Sequence, residues 1–276
     1  MPFNFTQVDV FTATALRGNP LAVVHGADAL DDAQMQALAS WTNLSETSFL
    51  LRPTHPDADY RVRIFTPSRE LPFAGHPTLG SCHAWLASGG RPHGEFVVQE
   101  CAVGLVRLRR DGARLAFAAP PTRRGGAVEP AIVEQIAQSL RTAPAALRAT
   151  QWVDNGPGWV AALLGSREEL LAVEPDYRAM QGLHLGIIAP WAGGDAQFEV
   201  RALIPTPTGG YEDPVTGSLN ASLAQWLIGA GLAPAHYVAS QGSALGRAGR
   251  VFVDRIGDDT WIGGDCVSCV QGTLSL

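Results

Sequence analysis

The chain carries one short phrase twice, Glu-x-Pro-x-x-Gly at residues 70–75 and 212–217, and each copy runs directly into an apolar, helix-like stretch. The copies lie 142 residues apart (212 minus 70), close to half of the 276-residue length. A phrase repeated at half-length spacing, each time opening an apolar helix, points to two similar halves. Pro72 and Pro214 hold the chain extended, and Gly75 and Gly217 leave backbone amides open where a helix begins. Leu79, Cys82, His83 and Leu86 then fall at offsets 0, 3, 4 and 7, and Leu219, Leu223, Trp226 and Leu227 at 0, 4, 7 and 8, which is helical spacing. The N–H groups and the dipole of a helix N-terminus both favour negative charge, so two such termini brought face to face predict one anion site.

A chain of this length suits two domains of about 100 to 150 residues. Hydrophobic content of 46% with 17% charged residues is that of an ordinary globular protein. No apolar run approaches the ~18 residues of a membrane-spanning helix, and the N-terminus lacks a basic segment followed by an apolar one, so the expected location is the cytoplasm. The net charge of −6, with no basic block longer than Arg109-Arg110 or Arg123-Arg124, gives no footprint for nucleic acid. All twenty basic side chains are arginine. Without lysine there is no Schiff base to pyridoxal phosphate, no Schiff-base aldolase chemistry and no phosphate-gripping lysine of a P-loop. Four scattered cysteines, Cys82, Cys101, Cys266 and Cys269, suit a reducing compartment. The Cys266-x-x-Cys269 pair lies in an alternating segment with no second pair to complete a zinc set, so it reads as two small packed residues and no metal is expected.

Short alternating segments at 3–11, 21–24, 47–51, 60–65, 95–101, 104–109 and 114–117 predict strands, and the second half repeats the habit at 159–164, 197–203, 250–254 and 267–271. Turn residues between them imply hairpins and meanders, hence largely antiparallel sheet. Helical spacing also appears at 31–41 and 129–140. The Pro- and Gly-rich stretch 120–126 reads as a linker, dividing the chain into halves 1–119 and 120–276. A helix apolar on most sides must be enclosed. The expected fold is therefore α+β: two pseudo-symmetric halves, each a rolled, mostly antiparallel sheet around a central helix, with both helix N-termini directed toward the cleft between the halves.

His76 follows the first repeated Gly and Ser218 the second, so both are polar groups at a helix start. Asp213 precedes Pro214, and Glu46 stands where a helix gives way to a strand. Each residue alone fits a capping or solvated role; their joint position at turns expected to share one pocket makes them candidates for chemistry.

The motifs Asp9-Val10-Phe11-Thr12, Gly18-Asn19-Pro20, Asn43-Leu44-Ser45-Glu46-Thr47, residues 65–80, residues 212–218, Gln241-Gly242 and Gly246-Arg247, taken in order, resemble the PhzF family of isomerases, named for a phenazine-biosynthesis enzyme. The resemblance implies a fold similar to diaminopimelate epimerase, with the active site in the cleft. It also implies no cofactor or metal, and a homodimer. In the phenazine enzyme a glutamate moves a proton on a cyclohexadiene carboxylic acid, isomerising trans-2,3-dihydro-3-hydroxyanthranilate; that glutamate corresponds to Glu46. The resemblance likewise carries catalytic roles onto His76, Asp213 and Ser218, and substrate binding onto Gly75, Gly217 and Asn19, with a small carboxylate-bearing substrate as the partner. Leu219-Asn220 and Gly209-Gly210-Tyr211 depart from the common pattern beside the expected pocket and leave the substrate open. Two other functions compete: a two-cysteine amino-acid epimerase, opposed by the absence of cysteine from both turns, and a non-catalytic binder of small carboxylates or interaction module on the same fold.

Overall fold

The strand pairings of the first half recur in the second with the same sense at every step. The computed structural model describes residues 2–276, and the chain divides into one unit of Met1–Ala118 with Gly263–Leu276 and another of Ala119–Ile262. In the first, β1 (Pro2–Val10) lies between β2 (Asn19–Val24) and β18 (Cys266–Ser275), antiparallel to both. β2 is parallel to β3 (Thr47–Leu51), and β3 antiparallel to β4 (Tyr60–Phe65). β4 is antiparallel to the short β5 (Glu70–Leu71) and parallel to β6 (Val97–Cys101), which continues antiparallel through β7 (Gly104–Asp111) to β8 (Arg114–Ala118).

In the second unit β10 (Ala149–Asp154) lies between β9 (Arg124–Gly126) and β11 (Trp159–Leu163), again antiparallel to both. β11 is parallel to β12 (His184–Pro190), β12 antiparallel to β13 (Phe198–Thr206), and β13 antiparallel to β14 (Gly209–Asp213) but parallel to β15 (His236–Gln241). β15 then pairs antiparallel with β16 (Gly249–Ile256). β17 (Asp259–Gly264) carries the chain across the boundary back to the first unit.

The helices after the repeated phrase are α2 (Gly75–Ala87) and α6 (Gly217–Gly229), each of 13 residues, with both their first and last residues 142 apart. α2 lies against β1, β2, β3, β4, β6, β8 and β18, so sheet surrounds it. Gly80 makes that approach possible: a Cβ there would lie 2.6 Å from Leu21 Cδ2 and 2.8 Å from Val10 Cγ2. Leu219, Leu223 and Leu227 of α6 are fully buried, each contributing about 1.5–3 kcal/mol. Outside the first sheet, α1 (Asp32–Thr42) packs Met35, Leu38 and Ala39 against Phe49 and Phe65. Outside the second, α3 (Pro130–Ser139), α4 (Arg167–Leu171) and α5 (Tyr177–Met180) contribute Ile136, Leu170 and Met180 to a cluster with Leu185, Ile187 and Leu203.

The α+β architecture with a helix held by each sheet is as expected from the sequence, with three differences. Residues 124–126 of the presumed linker form β9, because their backbone pairs with residues 152–154 of β10. The C-terminal strand, placed by the sequence with the second half, pairs along the whole of β1 and belongs to the first unit. The strands β5, β10, β12, β14, β15 and β17 and the helices α4 and α5 were not expected. β12 explains itself: Leu185, Ile187, Ile188 and Ala189 are all fully buried, so the strand lacks the polar face that produces alternation.

The glutamate of the repeated phrase has the same partner type in both units. Glu70 accepts from Arg63 at Nε (2.8 Å) and Nη2 (2.7 Å), and Glu212 Oε2 accepts from Arg201 at Nε (3.0 Å) and Nη2 (2.8 Å). In each case the arginine stands two residues before the residue directly opposite the glutamate across an antiparallel pair, Phe65 opposite Glu70 and Leu203 opposite Glu212. Arg–Glu thus pins the strand that leads into each central helix. The first pair is partly exposed (18% and 38% of side-chain surface) while the second is buried (6% and 5%), and Arg201 Nη1 also donates to the carbonyls of Leu170 and Val173. Breaking a buried pair leaves an uncompensated charge and costs about 3–5 kcal/mol, whereas an exposed pair contributes about 0–1 kcal/mol. Glu212→Ala is therefore expected to lower the urea midpoint strongly and Glu70→Ala only slightly, in parallel denaturation curves.

Candidate active site

Glu46 is delivered to its position by the end of α1. Asp31 and Gln34 form a reciprocal capping box at the start of that helix, and Asn43 ends it in the left-handed conformation (φ 52°), turning the chain back toward β3. The Thr42 and Thr47 hydroxyls, 3.0 Å apart, tie the helix end to the strand start across the loop that bears Glu46. Glu46 is the last residue before β3, with 16% of its side-chain surface exposed.

His76 is the second residue of α2, and its Nδ1 lies 3.1 Å from Glu46 Oε2. The structure thus brings together, within one unit, two residues that the sequence proposes for catalysis from segments 30 positions apart. An imidazole in contact with a carboxylate can exchange a proton with it or stabilise its charge. No side chain caps α2, whose Ncap is Ala74, and the first intrahelical bond runs from Thr78 N to Ala74 O (3.1 Å). Gly75 precedes the first intrahelical bond, and Pro77 has no N–H. The first turn therefore presents the positive end of the helix dipole beside the Glu46–His76 contact.

In the second unit Asp213 ends β14 and is buried. Its Oδ2 accepts from the Thr216 hydroxyl at 2.5 Å, so the carboxylate is held by the turn that opens α6. Ser218 is the second residue of α6, matching His76 in α2. Its Oγ accepts from Trp159 Nε1 (3.1 Å) and its carbonyl from Asn155 Nδ2 (2.9 Å), which fixes the side chain and leaves the hydroxyl proton to donate. The sequence did not assign roles to Thr216, Trp159 or Asn155; a threonine at a helix start is the kind of residue read as a simple cap.

Asn19 is fully buried at the start of β2, opposite Val10. The preceding loop is closed by Asp9, whose Oδ2 accepts from Arg17 N (2.7 Å) and Gly18 N (3.0 Å). A Cβ at Gly18 would fall 2.1 Å from the Val10 carbonyl oxygen, so only glycine fits there.

A family model described as phenazine biosynthesis-like protein matches residues 8–272, nearly the whole chain. The chain belongs to this PhzC–PhzF family. Among curated relatives, trans-2,3-dihydro-3-hydroxyanthranilate isomerase of Pseudomonas fluorescens is 34% identical over 80% of this chain and 78% of its own length. Antisense-enhancing sequence 1 of Schizosaccharomyces pombe is also 34% identical, over 98% of this chain and 97% of its own. The crystal structure of a PhzF-family phenazine biosynthesis protein from Enterococcus faecalis superposes with a TM-score of 0.82 at 25% identity, covering 100% of both chains. These relationships establish the chain as a PhzF-like isomerase with the family's fold.

Among the described residues no group of three or more His, Cys, Asp or Glu side chains could hold a metal ion, and no helix is long and apolar enough to cross a membrane. All four cysteines are free thiols, and neither helix start carries one. Cys82 lies deep in α2, where burial pushes its thiol up to about 12. At neutral pH it is a thiol, not the thiolate that a cysteine epimerase needs. Iodoacetamide at pH 7 is accordingly expected to leave Cys82 unmodified in the folded PhzF-like protein and to modify it after denaturation, as read by peptide mass spectrometry.

Proposed function

We propose that this PhzF-like protein moves a proton on a small carboxylate-bearing substrate, with Glu46 as the general acid/base and His76 as its partner. The 3.1 Å contact between His76 Nδ1 and Glu46 Oε2 at the start of α2 carries the reading. Glu46 can take a proton from carbon and return it to a different carbon of the same molecule, so one carboxyl group serves both steps. Charge developing on the substrate needs stabilising groups held in place beforehand, and the Gly75 amide at the positive end of the α2 dipole has that character. By the family motif, Asp213 and Ser218 take part in catalysis, with Asp213 binding the substrate's polar substituents or sharing in proton transfer, while the Gly217 amide and Asn19 contribute to substrate binding.

The named activity of the Pseudomonas fluorescens relative supplies a probe, trans-2,3-dihydro-3-hydroxyanthranilate. Incubation in deuterium oxide is expected to yield isomerised product labelled at carbon. Glu46→Gln keeps the shape and loses the proton carrier, so exchange should fall by about 10²–10⁴-fold. His76→Gln should also lower the rate while leaving the fold intact by circular dichroism. Unchanged exchange in Glu46→Gln would remove the assignment.

A second reading has one observation in its favour. The Schizosaccharomyces pombe relative matches almost the full chain under a name that describes no reaction. On that reading the fold binds a small carboxylate without turning it over. Calorimetry and deuterium exchange on the wild type with the same probe separate the two, since binding without exchange favours the binder.

A further inference from the structure

Gln241 stands at the C-terminal end of β15 and is fully buried. Its side-chain amide makes four hydrogen bonds to the turn that opens α6. Oε1 accepts from Thr216 N (3.0 Å) and Asn220 Nδ2 (2.7 Å), and Nε2 donates to the Asp213 carbonyl (3.1 Å) and to Thr216 Oγ1 (3.0 Å). Two donors converge on the oxygen and two acceptors on the nitrogen, so the amide has one satisfied orientation. Asn220 Nδ2 also donates to the Thr216 carbonyl (2.9 Å), locking the same turn from the helix side.

The consequence reaches Asp213. A hydroxyl has one proton to give, and Thr216 Oγ1 already accepts from Gln241 Nε2, so that proton is directed to Asp213 Oδ2, 2.5 Å away. The chain Gln241–Thr216–Asp213 fixes both the backbone of the turn and the rotamer of the carboxylate.

The duplicated fold contains its own control. Gln99 of β6 lies 142 residues before Gln241, the spacing of the repeated phrase, and Thr78 lies 142 before Asn220. Gln99 Nε2 donates to Thr78 Oγ1 (3.1 Å) and its Oε1 accepts from Tyr60 OH (3.0 Å), so this buried glutamine also braces the first turn of its central helix. At the position equivalent to Thr216 stands Ala74, which has no hydroxyl, and position 71, equivalent to Asp213, is Leu71. The bracing is shared by both halves; the link to a carboxylate exists in one.

We infer that Gln241 and Thr216 are positioning residues that aim the Asp213 carboxylate for the PhzF-like reaction, an extension of a structural brace that both halves possess. The inference rests on the proposed role of Asp213 in that reaction. Neither residue touches the reacting atoms; each acts through Asp213.

The test uses the full-length protein and two readouts. The first needs no substrate: the side-chain carboxyl carbon resonance of Asp213 in protein labelled at aspartate, identified by its loss in Asp213→Asn. It is expected to shift in Thr216→Val and Gln241→Leu, and to stay at the wild-type position in Thr216→Ser, which keeps the hydroxyl, and in Gln99→Leu, which removes only a brace. The second readout is kinetics on trans-2,3-dihydro-3-hydroxyanthranilate. Displacing a positioned group by about 1 Å costs on the order of 100-fold in rate. Thr216→Val and Gln241→Leu should therefore lose kcat far more than they raise KM, Thr216→Ser should recover most of it, and Gln99→Leu should lose thermal stability with kcat little changed. An Asp213 resonance that is the same in wild type, Thr216→Val and Gln241→Leu overturns the inference whatever the kinetics. The expected resonance pattern in a wild-type protein that turns over no substrate keeps the positioning and removes the proposed reaction. If Gln241→Leu does not fold, Thr216→Val and Thr216→Ser decide the matter by themselves.

Discussion

A helix that is apolar on nearly every side cannot rest on a flat surface; it has to be enclosed, and the rest of this protein follows from doing so twice. α2 buries residues from its first turn onward, including Gly75, His76, Thr78, Leu79 and Cys82, and α6 does the same with Gly217, Leu219, Asn220 and Leu223. Enclosure draws even the polar first turns out of bulk water. Those turns must then find partners among groups the sheet supplies, because buried backbone and side-chain polar atoms are costly when unmatched. In the first unit the groups that meet the helix start are Glu46 and Gln99; in the second they are Asp213, Gln241 and Trp159. The candidate chemistry sits where the packing problem is hardest.

The two units solve that problem with one architecture and different chemistry. Both use an arginine one strand away to pin the approach to the helix, and both use a glutamine from the strand that follows the helix to brace its first turn. They differ at the polar residues beside each helix start. His76 faces a glutamate from a loop, while Ser218 is anchored by an indole N–H, and a threonine-held aspartate has no equivalent in the first half. The symmetry of fold expected from the repeated phrase is present strand by strand, and the chemistry departs from it.

Much of this was legible in the sequence. The repeated phrase located both central helices and the halves around them, and the motif residues placed Glu46 beside a helix end and His76 at a helix start. What stayed hidden has physical causes. β12 is buried on both faces and therefore has no period of two. The Arg63–Glu70 and Arg201–Glu212 pairs depend on strand register, which a linear sequence does not display. Gln99 and Gln241 do sit at the repeat spacing, but an isolated glutamine in an apolar strand gives no periodic signal. The pairing of β18 with β1 joins residues from opposite ends of the chain, so no local pattern announces it.

That last pairing has a consequence for how the chain comes into being. β1 lies between β2 and β18 and is made well before residues 266–275 of β18. The second unit is one contiguous run, 119–262, while the first waits for its final strand until that whole run has been made. On a ribosome that lengthens the chain by roughly 5–20 residues per second, one edge of β1 stays unpaired for well over 10 seconds. During that interval the first unit is the vulnerable part of the nascent chain, and β18 is the segment that covers it.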